Sequence, residues 1–425
     1  MLTQADNDYL CHTGPGTPMG NLLRRYWLPV MLASELPEAD CAPVRVKVLS
    51  EDLVAFRDST GQVGLLAANC VHRGASLFFG RNEDSGLRCV YHGWKFDVAG
   101  SCVDMPSEPA ESNFKHKVQA QAYPTVESAG MVWAYLGPTA EMRPFRAFPS
   151  HSSPREEWSA SKTIVYCNYV QSMEGNIDSS HISFLHRSFR DWSNPNDGTD
   201  QPGYPTFPMS AYIRATSRNP HLEVEDTEYG FRYAAIRRTP AGHTHVRMSV
   251  HVLPVITFVA DPLPTQGTRV GLIIVPRDDE TCWRFSGGPR QLVGAPQFII
   301  DDGPQRIRGP WNDYLLDRDM QRTGNYTGIV GVATQDYAVT ESMGAIYDRR
   351  QEHLGTTDLA IIRMRQQLIA AARNLENGIE PPGLDPDYPW HQVRSEERIL
   401  VPGESWHTLA TGADPVFREF IAARR

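Results

Sequence analysis

The sequence predicts an α+β protein, with a small antiparallel β domain followed by a larger domain in which helices cover an antiparallel sheet. Three observations support this prediction. Short alternating strand patterns fill the first third of the chain, a proline- and serine-rich break follows near residue 150, and mixed strand and helix patterns lie beyond it. At 425 residues the chain is also too long for one ordinary core.

The small domain is predicted from short runs that alternate apolar and polar residues between turn signals. These runs are VRVKVL, LVAFRD, GQVGLLAA, GLRCVYH, GWKFDVAG and MVWAYLG. We place this domain at residues 41–150. Residues 1–40 are expected to form an N-terminal segment that packs on the larger domain, which we place at residues 151–425.

The domain break is marked by prolines that interrupt any periodic element, at Pro138, Pro144, Pro149 and Pro154. Beyond it, strands are predicted in HLEVEDTEYGFRYAAIRRT, THVRMSVHVLPVITFVA and GTRVGLIIVPR. Helical segments are predicted near residues 170–188 and 335–375. Together these patterns predict a sheet covered by helices.

The clearest helix is TTDLAIIRMRQQLIAAARNLENG, with Thr356 or Thr357 as its N-cap and Gly378 near its end. We interpret it as a packing element. Its predicted apolar face consists of Leu359, Ile362, Ile369 and Ala372.

Composition narrows the function classes. Hydrophobic residues make up 41% and charged residues 21%, and the net charge of -9 leaves no basic stripe for nucleic acid and no polybasic membrane patch. The opening MLTQADNDYL lacks the features of a signal peptide, and no run approaches the roughly 18 apolar residues of a membrane span. We therefore expect a cytoplasmic protein. Seven scattered cysteines argue against a disulfide framework.

Two short motifs lie among the strands of the small domain, Cys70-Val71-His72 and Cys89-Val90-Tyr91-His92, with sixteen residues between them. They offer two thiolates for one iron and two imidazoles for the other, which is the ligand set of a Rieske [2Fe-2S] cluster. We predict that Cys70, His72, Cys89 and His92 bind such a cluster.

The alternative for the same residues is a structural zinc site, which also accepts two cysteines and two histidines. Zinc motifs usually keep the cysteine pair and the histidine pair separate, whereas here each motif holds one of each.

Gly74, Gly86 and Gly93 fit two loops that approach a cluster closely, because a Cβ would keep the backbone amides from the sulfurs. Many Rieske proteins have proline where this chain has Val71, but the ligand spacing is unchanged.

The larger domain contains a second candidate metal motif, Asp178, His181 and His186 in EGNIDSSHISFLH. A non-haem Fe(II) that activates dioxygen needs two imidazoles and one carboxylate, with open positions beside them. On a regular helix His181 and His186 would lie about 140° apart, so the helix must end or distort between them. Asp178 can accept the second ring N–H of His181.

The third iron ligand should be a carboxylate much later in the chain, and no spacing identifies it. The candidates are Asp313, Asp317, Asp319, Asp336, Glu341 and Asp348. We favour Asp336, because its segment begins a helix after a glycine-rich approach and its neighbours Ala338, Val339 and Met343 suggest burial. Glu341 is the alternative.

These motifs, together with GPGTPMGNLLRRYWLPV, HRGASL, YHGWKFD and TQDYAVTESMG, carry a family resemblance over nearly the whole chain. The chain resembles the oxygenase (alpha) components of Rieske non-haem iron aromatic oxygenases, in the phthalate dioxygenase-like and O-demethylase branch. The resemblance implies a helix-grip catalytic domain, a mononuclear Fe(II) separate from the cluster, and Asp336 as the third ligand of this iron.

The resemblance also implies a homotrimer or a hexamer of stacked trimers. In such assemblies the histidine matching His92 approaches the bridging acid, matching Asp178, of a neighbouring subunit, and that acid bonds the ligand matching His181. The chain has neither a nucleotide-binding glycine motif nor cysteines for a second cluster. We therefore expect a separate NAD(P)H-dependent reductase, for example one with flavin and a ferredoxin-type centre.

The expected reaction consumes O2 and oxidises an aromatic carboxylate, by ring dihydroxylation or by O-demethylation of a methoxylated, lignin-derived acid. Residues that could anchor the carboxylate are Arg187, Arg190, His243, His245, Arg247 and His251. Two other classes remain open at this point. A Rieske electron carrier would leave the second motif without purpose, and a zinc-stabilised interaction protein would be colourless.

Overall fold

The computed structural model describes residues 2–409 apart from 110, 147, 149–157, 190–212, 240–241, 261–269 and 290–305. The predicted domain break near residue 150, with Pro149 and Pro154, lies outside the described residues. The α+β fold class is confirmed, since antiparallel strands dominate both parts of the chain and helices pack on the larger sheet.

The first part of the chain forms three small antiparallel sheets. Its strands are β1 Trp27–Leu32, β2 Val44–Val48, β3 Glu51–Arg57, β4 Val63–Ala67, β5 Arg81–Glu83, β6 Gly86–Arg88, β7 Lys95–Phe96, β8 Cys102–Asp104, β9 Thr125–Ser128 and β10 Met131–Tyr135. Their orders are β1-β10-β9, β2-β3-β4 and β5-β6-β7-β8. Each strand-like run predicted in this region contributes a strand.

Strand β1 was not predicted, because WLPVML is apolar throughout, contains Pro29 and shows no alternation. It lies within the predicted N-terminal segment and pairs with β10, so part of that segment completes a small sheet. The helices before it, α1 Gln4–Cys11 and α2 Pro18–Leu23, contact a late helix of the chain. The division at residues 40 and 150 stays a prediction.

The larger sheet is antiparallel throughout. Its strands are β11 Trp158–Val165, β12 His221–Thr227, β13 Gly230–Arg238, β14 Thr244–Val252, β15 Ile256–Phe258, β16 Val270–Pro276, β17 Cys282–Pro289 and β18 Glu396–Leu400. The order is β11-β17-β16-β15-β14-β13-β12, and β18 pairs with β14. Nearly every residue of β13 and β14 is buried, on both faces of the sheet, even though both strands carry arginines.

The helices of the larger part have bounds that differ from the predicted ones. They include α3 Tyr169–Ile177, α4 Arg318–Thr323, α5 Val332–Glu341 and α6 Leu359–Glu376. Of these, α3 and α6 contact strands of the large sheet, and α5 contacts α3. The predicted helical region at 335–375 is therefore two helices joined by a loop, and the region at 170–188 is helical only in its first half.

Helix α6 begins later than predicted, and half of its predicted apolar face is buried. Its N-cap is Asp358 rather than either threonine, because a 3-10 turn precedes it. Ile369 and Ala372 are buried as predicted, whereas Leu359 is exposed. The buried side also includes Ile361 and Met364, and Gly378 follows the C-cap with φ of +77° as expected.

Two apolar cores position the candidate sites. The larger one joins α3, α6 and the large sheet to β1 and β10. The smaller one lies under the two predicted cluster loops and contains Cys70 and Cys89 beside Trp94 and Phe96. None of the helices in the described ranges combines the length and apolar character needed to span a bilayer.

Candidate metal centres

The two predicted cluster loops have matching backbone geometry. Cys70 donates its N–H to Ala75 and accepts from Gly74, while Cys89 donates to Trp94 and accepts from Gly93. Gly74 and Gly93 have φ of +74° and +80°, which other residues adopt only with strain. The prediction for Gly86 is wrong, because this residue lies within β6 rather than in a loop.

The side chains of these loops fit a Rieske cluster. Burial is the main cause that raises the pKa of Cys70 to about 11, and the neighbouring Cys89 thiol raises it further. The His72 and His92 rings lie 4.5 Å apart between centroids. The buried Nδ1 atom of His72 has no hydrogen-bond partner within the described part of the chain, so this nitrogen is available to bind a metal. Trp94 stacks on the His72 ring at 4.2 Å and holds its plane.

A single zinc ion fits this arrangement poorly. Tetrahedral zinc with bonds of about 2.0–2.3 Å brings its ligand atoms to roughly 4 Å or less from one another. Among the described residues, the one group with three or more ligand atoms mutually within 4.8 Å is His181, His186 and Asp336, so the four loop residues do not form such a group. Their spread instead suits the two irons of a cluster.

The second candidate centre starts where α3 ends. Asp178 is the C-cap of α3, and its N–H donates to the Glu174 carbonyl. The Asp178 carboxylate then accepts from the backbone N–H groups of Ser180 at 2.6 Å and His181 at 3.3 Å. A 3-10 turn, His181–Ser183, follows. The helix thus ends before both histidines, and the turn between them removes the 140° separation.

Three side chains converge as a result. The Nε2 atoms of His181 and His186 lie 3.2 Å apart, and Asp336 Oδ1 lies 3.1 Å from His186 Nε2 and 3.7 Å from His181 Nε2. Metal–ligand bonds of about 2.1 Å at right angles would place donor atoms about 3 Å apart. This is the two-histidine, one-carboxylate set of a non-haem iron site, and the residues fit the ion.

Electrostatics at this centre also favour a cation. Burial opposes the charged form of Asp336, yet the two histidines hold its pKa below the usual range. Burial likewise works against His181⁺, but the hydrogen bond to Asp178 and the charge of Asp336 raise the pKa of His181. The Nδ1 atoms of the two rings face other acceptors, Asp178 at 3.3 Å and Gln335 at 2.7 Å. The Nε2 lone pairs of both rings therefore point toward the Asp336 carboxylate, and a cation between these atoms would stabilise the arrangement.

The other candidate carboxylates are engaged elsewhere. Glu341 is buried and accepts from Arg306 at 2.5 Å, Tyr314 at 2.6 Å and the Tyr166 N–H at 3.0 Å. The remaining acids cap or pair locally: Asp317 caps α4, Asp319 pairs with Arg322, Asp348 pairs with Arg350 and Asp313 lies in a tight turn with φ of +47°.

The reasons that favoured Asp336 were partly wrong. Asp336 is the fifth residue of α5 rather than its start, and its apolar neighbours Val339 and Met343 are exposed. The buried side of α5 is mostly polar and includes Gln335 and Glu341. The contact between Gln335 and His186 was not predicted from the sequence. The position of Gln335 directly before Asp336 is the sequence feature that could have indicated it.

One face of the large sheet turns polar side chains toward this centre. By register, Tyr233 and Arg237 of β13 share a face with Arg247 and His251 of β14. Tyr233 donates to the Ile177 carbonyl and Arg237 to the Ser179 carbonyl at 2.8 Å, so this face lies under the end of α3. Arg237, also missed from sequence, is 1% exposed.

The predicted anchor residues are placed as follows. Arg247 and His245 are buried on this face and pair with Glu397, at 3.5 and 2.9 Å. His251 is buried beside Phe231, and burial lowers its pKa to about 3. His243 is exposed, and Arg187 stacks on the exposed Phe189. Arg190 lies outside the described residues.

Comparison with known proteins finds a family model for each of the two parts of the chain. The model described as "Rieske [2Fe-2S] domain" matches residues 26–124, and that described as "LigXa C-terminal domain like" matches residues 134–418. The oxygenase subunit of phthalate 4,5-dioxygenase from Pseudomonas putida is 40% identical over 89% of this chain and 88% of its own. That of 5,5'-dehydrodivanillate O-demethylase from a Sphingobium species is 31% identical over 90% and 84%.

A solved structure shares the fold. Dicamba monooxygenase bound to dicamba superimposes with a TM-score of 0.57 and 20% identity, over 84% of this chain and 99% of that one. Matches across both domains remove the electron-carrier and zinc-protein alternatives. The cofactors are a Rieske [2Fe-2S] cluster and a mononuclear iron. The chain belongs to the Rieske non-haem iron oxygenases, as an oxygenase component of the phthalate dioxygenase-like branch.

Proposed function

We propose that this oxygenase oxidises an aromatic carboxylate, with the buried cationic face of β13 and β14 as the anchor for its carboxylate. The observation that carries the proposal is the position of Arg237 and Arg247 on the sheet face beneath the end of α3. The positive charge of Arg247 also acts on the candidate iron centre, because it opposes protonation of His181.

The two arginines favour an anionic ligand. Burial, together with the charges of Arg247 and Arg214, lowers the pKa of Arg237 to about 9. Its Nη1 atom has no hydrogen-bond partner among the described residues. Glu397 offsets part of the clustered positive charge. A substrate carboxylate would supply the missing partner and offset more of it, since charge-assisted bonds to arginine are among the stronger ones in proteins.

His181, His186 and Asp336 would hold the iron, and Cys70, His72, Cys89 and His92 would hold the cluster. Iron held there would supply the activation of O2, and a cluster held by the four loop residues would supply the electrons for it. Asp178 holds the Nδ1 proton of His181 and so keeps Nε2 directed at the metal. The sheet face below orients the substrate and excludes bulk water.

The electrons come from a separate NAD(P)H-dependent reductase, and the active assembly is a homotrimer or a hexamer of stacked trimers. Two exposed apolar surfaces support contacts between subunits. We call Val71, Val90 and Tyr91 the cluster tip, and Phe184, Phe189 and Tyr326 the iron rim. Each surface surrounds one redox centre, and exposed apolar patches of this kind favour a protein partner.

Ring dihydroxylation and O-demethylation both remain within the proposal. The relative with the higher identity acts on phthalate, and the other on dehydrodivanillate, an O-methylated compound. The test supplies the oxygenase with a reductase, NADH and a panel of aromatic acids, each matched with its uncharged amide. We expect O2-dependent oxidation of the acids, with a cis-diol as the product of dihydroxylation and formaldehyde as that of demethylation.

The amides serve as the control for the anchor. Loss of turnover when the carboxylate becomes an amide supports recognition by Arg237 and Arg247. Equal turnover of acids and amides would contradict the proposed substrate class, and the absence of any oxidised product with a reduced cluster would contradict the proposed function.

A further inference from the structure

The second contact of His186 distinguishes it from His181. Its Nε2 atom lies near Asp336 and its Nδ1 atom lies 2.7 Å from Gln335 Oε1, so neighbouring residues of α5 reach opposite sides of one ring. Gln335 is 1% exposed. The equivalent position at His181 is taken by the carboxylate of Asp178.

The orientation of the Gln335 amide follows from its other bond. Its Nε2 atom donates to the Ile329 carbonyl at 2.8 Å. With the amide reversed, Gln335 Oε1 would face that carbonyl oxygen, and two acceptors would repel each other. The oxygen must therefore face His186, where it can only accept. His186 then carries its proton on Nδ1 and leaves the Nε2 lone pair directed at His181 and Asp336.

We propose that Gln335 is a positioning residue for iron, which sets the tautomer and ring orientation of His186 through this hydrogen bond. The loop Gly328–Gly331 orients Gln335 in turn, since Ile329 belongs to it and Gly328 and Gly331 have φ of +71° and +92°. Two hydrogen bonds of the Gln335 side-chain amide thus connect the loop before α5 to the candidate metal ligand His186. This inference rests on the proposed iron site.

The same arrangement gives the two histidines unequal acceptors. An anionic acceptor on His181 raises the electron density of that ring more than a neutral amide does on His186. The charged acceptor is Asp178, on the histidine beside the proposed electron path, and the neutral one is Gln335. A carboxylate at position 335 would remove this difference while keeping the acceptor.

The test measures Fe2+ binding to cluster-containing protein from which the mononuclear iron has been removed, by anaerobic competition with a chelator. Gln335→Leu removes the acceptor, and we expect Fe2+ to bind about 10–100-fold more weakly. Gln335→Glu keeps an acceptor for the Nδ1 proton of His186 but loses the donor to the Ile329 carbonyl, so it should bind Fe2+ more tightly than Gln335→Leu does. Bound Co2+ provides a second readout, since its visible absorption should show loss of the His186 ligand in Gln335→Leu and retain that ligand, with bands shifted by the added charge, in Gln335→Glu.

Gln171→Leu is the matched control. Gln171 is equally buried and donates to the carbonyls of Thr340 and Gly344 near the end of α5, but it does not contact His186. We expect this variant to be less stable in thermal unfolding and to bind Fe2+ normally when folded. Equal weakening in Gln171→Leu would assign the effect to general loss of structure and would overturn the proposal.

His186→Ala distinguishes a failure of the role of Gln335 from a failure of the iron site itself. Normal Fe2+ binding in Gln335→Leu, together with loss of binding in His186→Ala, would overturn the role of Gln335 and leave the iron site intact. Normal binding in His186→Ala would overturn the iron site itself. The visible spectrum of the cluster should be unchanged in every variant, because these residues lie outside the small domain.

Discussion

Each candidate iron-binding histidine is held at both ring nitrogens, and this accounts for much of the geometry at the centre. A histidine ring has two nitrogens, and fixing the proton on one directs the lone pair of the other. Asp178 provides this for His181, and it also accepts two backbone N–H groups that define the turn after α3. One carboxylate therefore has both a structural and an electrostatic effect.

We expect Asp178→Asn to separate these two effects. The asparagine oxygen can still accept from the backbone, so the fold, the cluster and its reduction should persist. Turnover should fall by about 10–100-fold or more, because the charged acceptor of His181 is lost. Steady-state oxidation and the spectrum of the reduced cluster measure the two effects.

Asp317→Asn provides the control for this change. Asp317 also accepts from two backbone N–H groups at a helix end, but its carboxylate caps α4 through Asp319 and Met320 instead of bonding a histidine. Its turnover should be normal. Normal turnover in Asp178→Asn as well would remove Asp178 from the electron path.

Substrate recognition gives a second prediction at the residue scale. Arg247→Met should raise KM for an aromatic acid about 10–100-fold, since a charge-assisted hydrogen bond contributes about 1.5–3 kcal/mol. The KM for an uncharged analogue should change little. Arg238→Met, an exposed neighbour on the same sheet, is the control. If KM rises equally for charged and uncharged compounds, the carboxylate anchor is wrong.

At the scale of elements, α3 depends on a buried network of ion pairs that fixes its position. Glu174, one turn before Asp178, accepts from Arg349 at 2.9 Å and from Arg365 at 2.7 Å. Arg349 also donates to Asn7 of α1, and Arg365 lies on α6. The network therefore ties the N-terminal helix, α6 and the helix that ends at the iron site.

We expect Glu174→Gln to lower the free energy of unfolding by about 3–5 kcal/mol, because it leaves buried arginines short of a carboxylate. Although burial opposes its charge, the two arginines hold the pKa of Glu174 below its ordinary value of 4.5. The carboxylate therefore stabilises the fold fully above that value, and the contribution is lost as the pH falls through the lowered pKa. Chemical unfolding at pH 7 and at lower pH measures it.

The matched control is Asp226→Asn, since Asp226 pairs with Arg363 on the surface of the same helix α6. Such exposed pairs contribute about 0–1 kcal/mol. A loss of that small size in Glu174→Gln, or a loss that does not diminish in acid, would show that the network does not stabilise α3 as we infer.

At the scale of the whole molecule, the proposed assembly of subunits would give a role to the exposed surfaces around both redox centres. The cluster tip and the iron rim are different surfaces of the same chain, and such a heterologous pair closes into a ring when the rotation between subunits permits. A trimer would bring the cluster of one subunit to the iron of the next.

Mixed assemblies test this arrangement. Co-expression of Cys89→Ala, which should lack the cluster, with His186→Ala, which should lack the iron, should yield turnover in double-tagged assemblies. Each variant alone should be inactive, because it lacks one centre in every subunit. Double-tagged assemblies without turnover would contradict electron transfer between subunits, provided that they contain both metals.

Local spacing was sufficient for the parts of the protein in which a few neighbouring residues act together. Cys70, His72, Cys89 and His92 lie in two short motifs, and the alternating strands around them follow from a period of two. Asp178, His181 and His186 also lie within nine residues, and the need for a break between the histidines follows from helix geometry alone.

Tertiary structure decided what joins distant parts of the chain. The meeting of His186 with Gln335 and Asp336 spans about 150 residues, the pairing of β1 with β10 about a hundred, and that of Arg247 with Glu397 again 150. At α5 the apolar residues near Asp336 did not predict the buried side of the helix. The buried side is mostly polar, and the apolar Val339 is exposed. Burial depends on what packs against a residue, and sequence spacing alone does not contain that information.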